Sequence, residues 1–216
     1  MSHQLPKVTL FYSPGACSYV PHVALIHASI PTNLILAKVG AMSPEFLKIN
    51  PKRRVPVVVV NDEIVTEMAA VLTAIASLVP DQKLLGTTSL ETIRVYEWLN
   101  YLSTVAHNQA TAQIWRTERF TDDVAAYPAI QAKGRKVIQE VYALIEEKLR
   151  GRGEETGYAV GDAFTVVDPF LVVVYLWSIR LGFGDMESRF PRFVMYAERL
   201  LGLEAFGLAA KLHGFR

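Results

Sequence analysis

The fold is decided by residues Val8 to Ser18, which read VTLFYSPGACS. The run from Val8 to Tyr12 is β-branched, aliphatic and aromatic, which favours a short strand, and the Ser-Pro-Gly that follows ends the strand in a turn. Apolar residues then recur at helical spacing as far as Ala28, which predicts a helix. The run from Leu34 to Val39 predicts a second strand, so the chain opens with a βαβ unit whose two strands are parallel.

The next segment completes one small α/β unit. Ser43 and Pro44 predict the cap and first residue of a short helix. The strands 57–60 and 64–65 predict a hairpin, and the apolar run 69–76 predicts a closing helix. We therefore expect residues 1–80 to form a βαβ-ββα domain around a four-stranded mixed sheet.

The rest of the chain shows helical patterns and no convincing strand. The polar, proline-led segment after Val79 predicts a linker at residues 81–88, and residues 89–216 are expected to form an all-helical domain. Four stretches carry the helical pattern, and they span residues 89–111, 122–150 (with a break near Tyr127), 163–181 and 192–201.

The composition excludes several classes of protein. The chain has 216 residues, 22 Lys and Arg against 21 Asp and Glu, 51% hydrophobic residues and one cysteine. The balanced charge argues against a nucleic-acid partner, and a single cysteine forms neither an internal disulfide nor a cysteine-pair metal site. No apolar run has the length of a membrane span, and the N-terminal residues do not form a signal peptide. We expect a cytoplasmic globular protein without a metal or a membrane partner.

Cys17 is the first candidate for chemistry, because it stands between the first strand and the first helix. The free N–H groups and the dipole of a helix N-terminus favour a thiolate, which would be a good nucleophile. The alternative is a small buried apolar residue. Tyr12 and Ser18 place hydroxyls at the same corner, and Tyr12 is either a donor to an anionic sulfur or an aromatic residue of the core.

Two further features lie in the same predicted domain. Pro56 opens a strand, and a cis peptide bond there would present the backbone of Val55 to an extended peptide ligand. Glu67 and Met68 begin a helix, where a carboxylate and free N–H groups could bind an ammonium and a carboxylate. Ordinary helix capping explains Glu67 equally well.

The helical part has an uncharged polar stripe that also indicates a site. No Asp, Glu, Lys or Arg occurs between Trp98 and Trp115. The stripe consists of Asn100, Ser103, Thr104, His107, Asn108 and Thr111. A solvated face would normally carry charges, so the stripe predicts a ligand cleft or a subunit interface. A hydrogen-bonded structural role for His107 and a core position for Trp115 stay open.

These segments together resemble the glutathione S-transferase superfamily, and most closely its bacterial beta class. The resemblance is carried by LFYSPGACS (10–18), by Asn50-Pro51 with Val55-Pro56, by Val65-Thr66-Glu67, and by EWLNYL (97–102) with His107. YAVGDAFTVVD (158–168) resembles the capping-box segment of that family. In this box we expect Thr165 to accept a hydrogen bond from the N–H of Asp168, and the Asp168 carboxylate to accept one from the N–H of Thr165.

The resemblance implies a thioredoxin-like N-terminal domain, glutathione as a substrate without a metal, and a homodimer. It implies that the chain activates the glutathione thiol and conjugates it to an apolar electrophile, as in detoxification, with thiol–disulfide exchange through Cys17 as a further activity. The implied catalytic residues are Cys17, Tyr12 and His107. The implied glutathione-binding residues are Ser18, Arg53, Arg54, Val55, Pro56, Glu67 and Met68, and the implied co-substrate pocket contains Asn108, Thr111 and Trp115.

The sequence departs from the family pattern at the glutathione site. Met68 stands where Ser or Gly is usual, and Arg53 and Arg54 replace the usual Gly-Gln or Gly-Lys, although either arginine could bind a carboxylate through two hydrogen bonds. Two alternatives therefore stay open: a non-catalytic carrier or assembly module of the same fold, and a specialised glutathione-dependent isomerase or lyase.

Overall fold

The computed structural model describes residues 6–151 and 157–215. The predicted domain ranges also include residues 1–5, 152–156 and 216, which lie outside the described residues. The N-terminal region, hereafter the sheet region, contains β1 (Val8–Tyr12), α1 (Tyr19–His27), β2 (Thr32–Leu36), α2 (Pro44–Ile49), β3 (Val57–Val60), β4 (Glu63–Thr66) and α3 (Met68–Leu78).

The four strands form one mixed sheet in the order β2-β1-β3-β4, which confirms the predicted fold class. The strand β1 is parallel to β2 and antiparallel to β3, so that Leu10 lies opposite both Leu34 and Val58. The strand β2 begins two residues earlier than its apolar run suggests. Its extent is set by β1, whose first residue Val8 pairs with Thr32.

The two faces of the sheet are covered by different helices. Leu10 and Val58 belong to the main core, together with Val20 of α1 and Leu72 of α3. The neighbouring residues of the strands point the other way, because side chains alternate along a strand. There Phe11 contacts Phe46 of α2, with 5.4 Å between ring centroids. The predicted cap of α2 is confirmed, since Ser43 Oγ accepts a hydrogen bond from the N–H of Phe46 (3.2 Å).

The remainder, hereafter the helical region, contains no strand in its described part, as the sequence predicts. It consists of α4 (Ser89–Tyr101), a π-helical segment (Leu102–Thr111), α5 (Ala112–Trp115), α6 (Tyr127–Arg150), α7 (Val167–Arg180), α8 (Met186–Arg189), α9 (Pro191–Leu201) and α10 (Glu204–Leu212). No helix in the described ranges is both long and apolar enough to cross a membrane. The helices α8 and α10 were not predicted, and the predicted helix from Ala163 begins only at Val167.

Asp168 is the buried polar centre of the helical region. Its carboxylate accepts hydrogen bonds from the N–H of Thr165 (2.6 Å), the N–H of Ala159 (2.9 Å) and the hydroxyl of Tyr196. Half of the predicted capping box is therefore correct. The other half is wrong, because the Thr165 hydroxyl donates to the carboxylate (3.3 Å) and the N–H of Asp168 donates to the Thr165 carbonyl oxygen instead. A buried carboxylate needs every nearby donor to offset its lost hydration.

The two regions meet at Gly15. Its N–H donates to the carbonyl oxygen of His213 (2.9 Å), and its carbonyl oxygen accepts a hydrogen bond from Trp177 Nε1 (2.9 Å). Gly15 has a φ of +72°, and a Cβ at this position would collide with the guanidinium of Arg180. Glycine meets both conditions without strain, and its two hydrogen bonds tie the sheet region to α7 and to the end of α10.

We expect loss of the Asp168 carboxylate to destabilise the chain strongly. Asp168→Ala leaves buried donors without partners and should lower the free energy of unfolding by about 3 kcal/mol. Urea unfolding measures the change, with the exposed Asp122→Ala as the matched control, expected within about 0.5 kcal/mol of the parent. A loss below about 1 kcal/mol for Asp168→Ala would contradict the assigned role.

The buried imidazole of His213 predicts that stability falls in mild acid. Burial lowers the pKa of His213 to about 3, with smaller contributions from His22 and Arg180, and burial lowers the pKa of His22 to about 4. Above about pH 6.5 neither state binds a proton at these rings. As the pH falls below that value, the unfolded chain takes up protons that the folded chain does not, so the free energy of unfolding decreases towards pH 4 and below.

A phenylalanine should remove part of this pH dependence, since the His213 ring already packs edge-on against Tyr12 and Tyr19. We expect His213→Phe to flatten the slope by up to about 1.4 kcal/mol per pH unit between about pH 6 and pH 5 in urea unfolding. Tyr19→Phe removes a hydroxyl bond to Phe206 but no imidazole, and it should keep the parent slope. Equal slopes for the parent and His213→Phe would exclude His213 as the source.

Candidate active site

A cleft of about 450 Å³ lies between the sheet region and the helical region. The sheet region contributes Pro14, Gly15, Ala16, Cys17, Val39, Arg53, Arg54 and Val55 to its lining. The helical region contributes His107, Thr111, Ala112, Trp115, Arg116, Arg119, Trp177 and Arg180. Seven of the predicted site residues therefore meet in one cavity: Cys17, Arg53, Arg54, Val55, His107, Thr111 and Trp115.

Cys17 lines the cleft as a buried thiol. Its Sγ donates a hydrogen bond to the carbonyl oxygen of Val55 (3.4 Å), and only 4% of the residue is exposed. Burial raises the pKa of the thiol to about 12, although its own backbone N–H, Arg54 and Arg119 act in the opposite direction. The predicted low pKa is therefore wrong in direction, because loss of hydration outweighs the favourable position before α1. Cys17 is a neutral donor at physiological pH.

The hydroxyls of Ser18 and Tyr12 are not part of the cleft lining. Ser18 Oγ accepts a hydrogen bond from the N–H of Ser13 (3.0 Å) and donates to its carbonyl oxygen (3.3 Å), and the residue is fully buried. The Tyr12 ring packs edge-on against His213, with 5.4 Å between centroids. Ser18 therefore stabilises the turn that carries Gly15, and the Tyr12 ring is packed against His213.

His107 faces the cleft from the π-helical segment. Its ring stacks on Trp177 at 5.3 Å between centroids, and Trp115 meets Trp177 edge-on at 6.1 Å. Burial, with smaller contributions from charge repulsion by Arg54 and Arg119, lowers the pKa of His107 to about 4. The imidazole is therefore neutral at pH 7 and can accept a proton or donate one N–H.

A hydrogen bond within the π-helical segment and close packing against α6 stabilise this segment. Thr111 Oγ1 donates to the carbonyl oxygen of Ala106 (2.8 Å), one of the contacts along its widened turns. On α6, Gly134 lies so close to the segment that a Cβ would stand 2.9 Å from the carbonyl oxygen of Ala110. The sequence predicts a continuous helix here but not the π conformation, which often occurs at functional sites.

The loop before β3 carries Arg53, Arg54 and Val55 to the cleft. Asn50 Nδ2 donates to the Arg54 carbonyl oxygen (2.8 Å), which holds the loop in shape. The Val55-Pro56 peptide bond is cis. Arg54 Nη1 donates to Asn108 Oδ1 of the helical region (3.4 Å), so the loop also bridges the two regions. Asn108 itself is exposed and does not belong to the cleft lining.

Glu67 and Met68 lie outside the lining of the cleft. Glu67 precedes α3 with a φ of +72°, and its carboxylate pairs with Lys52 Nζ at the surface (2.5 Å). Met68 is buried at the helix start. Their predicted contact with glutathione stays a prediction, and Lys52 already occupies the Glu67 carboxylate.

Among the lining residues that the sequence reasoning missed are Arg116, Arg119, Trp177 and Arg180. With Arg53 and Arg54 they place five guanidinium groups in the cleft, and none of its described lining residues is Asp or Glu. A signal existed for two of them, because Arg116 and Arg119 are the first charges after the uncharged stretch that ends at Trp115. Arg180 follows Trp177 by three residues on α7 and so shares its face.

Comparison with known proteins agrees with this architecture. Residues 6–77 match the family described as "Glutathione S-transferase, N-terminal domain". A curated protein of Xanthomonas campestris pv. campestris, named glutathione S-transferase GST-4.5, is 27% identical over 206 residues, which cover 92% of this chain and 98% of that protein. These matches support the resemblance to the glutathione S-transferase superfamily.

Solved structures extend the comparison over both regions. A glutathione transferase homologue from Sulfitobacter, with bound glutathione, has a TM-score of 0.85 and 25% identity, covering 97% of this chain and 99% of that one. A bacterial beta-class glutathione S-transferase from Sphingomonas chungbukensis has a TM-score of 0.81 and 25% identity, covering 96% and 100%. The predicted fold class, a thioredoxin-like domain followed by helices, is confirmed.

The buried thiol of Cys17 should be unreactive in the native protein. With a pKa of about 12 it has almost no thiolate at pH 8, so we expect it to react with a disulfide reagent at least about 100-fold more slowly in the folded chain than in guanidinium. Absorbance of the released thiol measures the rate. In the control, Cys17→Ser combined with Ala16→Cys moves the thiol to a less buried neighbouring position and should restore reaction. Rapid native reaction of Cys17 would contradict the assigned protonation state.

Proposed function

We propose that this chain is a glutathione transferase that binds glutathione in the cleft and joins the glutathione sulfur to an electrophilic carbon. Two observations on relatives support the proposal: the Xanthomonas protein is named a glutathione S-transferase, and the Sulfitobacter structure contains glutathione. The thiol of glutathione would lie where Cys17, Val55 and His107 converge on the cleft.

The observation that carries the proposal is the positive charge around this point. Arg54 and Arg119 come from opposite walls, and both act electrostatically on Cys17 and on His107. A thiol of ordinary pKa, about 8.5, placed between these guanidinium groups would be ionised more easily, because opposite charges stabilise the thiolate. The arginine charges of the cleft would therefore stabilise the thiolate of a bound ligand, whereas at Cys17 the loss of hydration outweighs the same charges.

The residues around the thiol would have distinct roles. The neutral imidazole of His107 would accept the thiol proton or orient the thiolate, and the Cys17 S–H would turn from the Val55 carbonyl oxygen towards the bound sulfur. Val55 would pair with the ligand backbone, and Arg53 with Arg54 would bind its carboxylates through their planar donor pairs. Glu67 and Met68 would hold the γ-glutamyl end, Pro56 would present the backbone of Val55, and Tyr12 and Ser18 would support the fold of the site.

The reaction would be a nucleophilic substitution or addition. The thiol proton leaves to His107 or to water, the sulfur forms a bond to carbon, and either a leaving group departs with its electron pair or a double bond accepts the electrons. Ala112, Trp115 and Trp177 provide an apolar wall for the electrophile, beside Thr111 and with Asn108 near its rim. Disulfide exchange through Cys17 needs a thiolate, so the raised pKa favours conjugation over exchange.

The second candidate is a non-catalytic carrier of the same fold. It is favoured by the neutral state of Cys17 and by the Glu67–Lys52 pair, which leaves the γ-glutamyl contact unassigned. A carrier would bind glutathione without lowering the pKa of its thiol. Isomerase or lyase chemistry would use the same activated thiol with a different substrate. Homodimerisation and a cytoplasmic location stay predictions of the resemblance.

We expect Arg54 to be required for thiol activation. Calorimetry should detect glutathione binding at millimolar concentrations, and ultraviolet titration of the bound ligand should show a thiol pKa below that of free glutathione. Arg54→Ala should weaken binding about tenfold and return the thiol pKa towards its free value. Arg192→Ala on α9, outside the cleft lining, is the matched control and should change neither quantity.

S-Methylglutathione, which has no ionisable thiol, corrects the titration for other chromophores. Absence of binding heat with glutathione would refute the proposed function. Binding with an unshifted thiol pKa would replace it with the carrier.

A further inference from the structure

We propose that the second substrate is a planar, apolar electrophile that carries a negative charge, such as an aromatic or conjugated carboxylic acid, recognised by Arg116, Arg119 and Arg180. This inference rests on the proposed function and names the substrate class of the same cleft. The three arginines all belong to the helical wall, opposite the loop with Arg53 and Arg54. They stand beside the aromatic pair Trp115 and Trp177, so charge and apolar surface meet on one wall.

The charge balance of the cleft is the first argument. Five guanidinium groups line it, and its described lining contains no carboxylate to neutralise them. Among the described residues, no carboxylate lies within ion-pair distance of Arg116, Arg119 or Arg180. Glutathione has two carboxylates that are balanced in part by one ammonium, so it cannot match five positive groups. A second anion is therefore favoured in the same cleft.

The crowding of Arg119 is the second argument. Burial, and then the neighbouring charges of Arg54 and Arg116, lower the pKa of its guanidinium. Arg54 lines the cavity from the sheet region, and Arg116 and Arg119 line it from the helical region, so three positive charges border the same space. An anion bound between them would reduce the repulsion among the arginines. This reduction would contribute to the binding free energy of the anion.

The fixed position of Arg180 is the third argument. Its Nη2 donates to the carbonyl oxygen of Gly214 (2.6 Å), and its guanidinium lies 4.4 Å from the ring centroid of Phe215. Gly15 leaves room for it on the other side. An arginine oriented in this way keeps further N–H donors for a carboxylate and loses little side-chain freedom on binding.

The aromatic residues of the helical wall indicate that the rest of the ligand is planar and apolar. Trp177 stacks on His107 and meets Trp115 edge-on, so Trp115, which is 37% exposed, offers an apolar surface next to the place proposed for the thiol. A planar ring can lie on this surface with its reacting carbon towards the sulfur and its carboxylate towards the arginines. Stacked rings also pair well with the guanidinium plane of arginine.

Equilibrium binding to the full chain with saturating glutathione tests the inference directly. Benzoate should bind at least about tenfold more tightly than methyl benzoate, which has the same ring without the charge, and more tightly than acetate, which has the charge without the ring. The benzoate affinity should fall with added salt, since the attraction is screened. Methyl benzoate binding as tightly as benzoate would overturn the charge requirement, and acetate binding as tightly would overturn the planar requirement.

Variants of the helical wall identify the residues. Arg119→Ala should weaken benzoate binding about tenfold, Arg119→Lys should recover part of the loss, and Arg116→Ala should act in the same direction. Arg192→Ala is the matched control outside the cleft lining. Because Arg180 also contacts Gly214 and Phe215, Arg180→Gln is compared at equal folded fraction, measured by thermal unfolding. Unchanged benzoate affinity in Arg119→Ala and Arg116→Ala would refute the assignment.

Turnover provides an independent measurement. With a chloronitrobenzoate, the glutathione sulfur bonds to the ring carbon, chloride departs with the bonding electrons, and the thiol proton passes to solvent. The ratio of kcat/KM for this acid to kcat/KM for its methyl ester should exceed one in the parent and fall in Arg119→Ala. A ratio below one in the parent, with glutathione bound and the ester conjugated, would overturn this inference and leave the proposed function standing. Absence of glutathione binding would refute the proposed function instead.

Discussion

The backbone of Gly15 is the contact on which the geometry of the cleft depends. Both of its polar groups are bonded to the helical region, one to His213 and one to Trp177. Cys17 lies two residues further along the same turn, so its position relative to the aromatic wall follows from these two bonds. The left-handed φ favours glycine, and a Cβ here would displace the guanidinium of Arg180, so glycine allows both the turn and the present position of Arg180.

In this cleft burial raises the pKa of a thiol and the positive charges lower it. The size of each effect decides whether a given sulfur is ionised. A helix N-terminus stabilises an anion by about 0.3–2 kcal/mol, or roughly one pKa unit, whereas full burial shifts a pKa by up to about 3–5 units. At Cys17 burial prevails, and the thiol stays protonated. A ligand sulfur that enters from the open side would keep more hydration and still meet Arg54 and Arg119, so the same charges act on it with less opposition.

The sequence allowed prediction of features that depend on local patterns. The strands β1 and β3, the Ser43 cap and the helical character after residue 88 follow from alternation, capping residues and helical spacing. The convergence of Arg180 with the other arginines and the raised pKa of Cys17 could not be predicted, because they depend on which surfaces meet when the two regions pack together. The π-helical segment also escaped prediction, since its widened turns are stabilised by contacts such as Thr111 with Ala106 and not by residue type.

The close packing of α6 on the π-helical segment at Gly134 influences the position of one wall of the cleft from outside it. There a Cβ on Gly134 of α6 would stand 2.9 Å from the carbonyl oxygen of Ala110, so a larger residue would push the two elements apart. His107 and Thr111 belong to the π-helical segment and line the cleft. A residue that does not touch the cavity therefore influences the position of the wall that does.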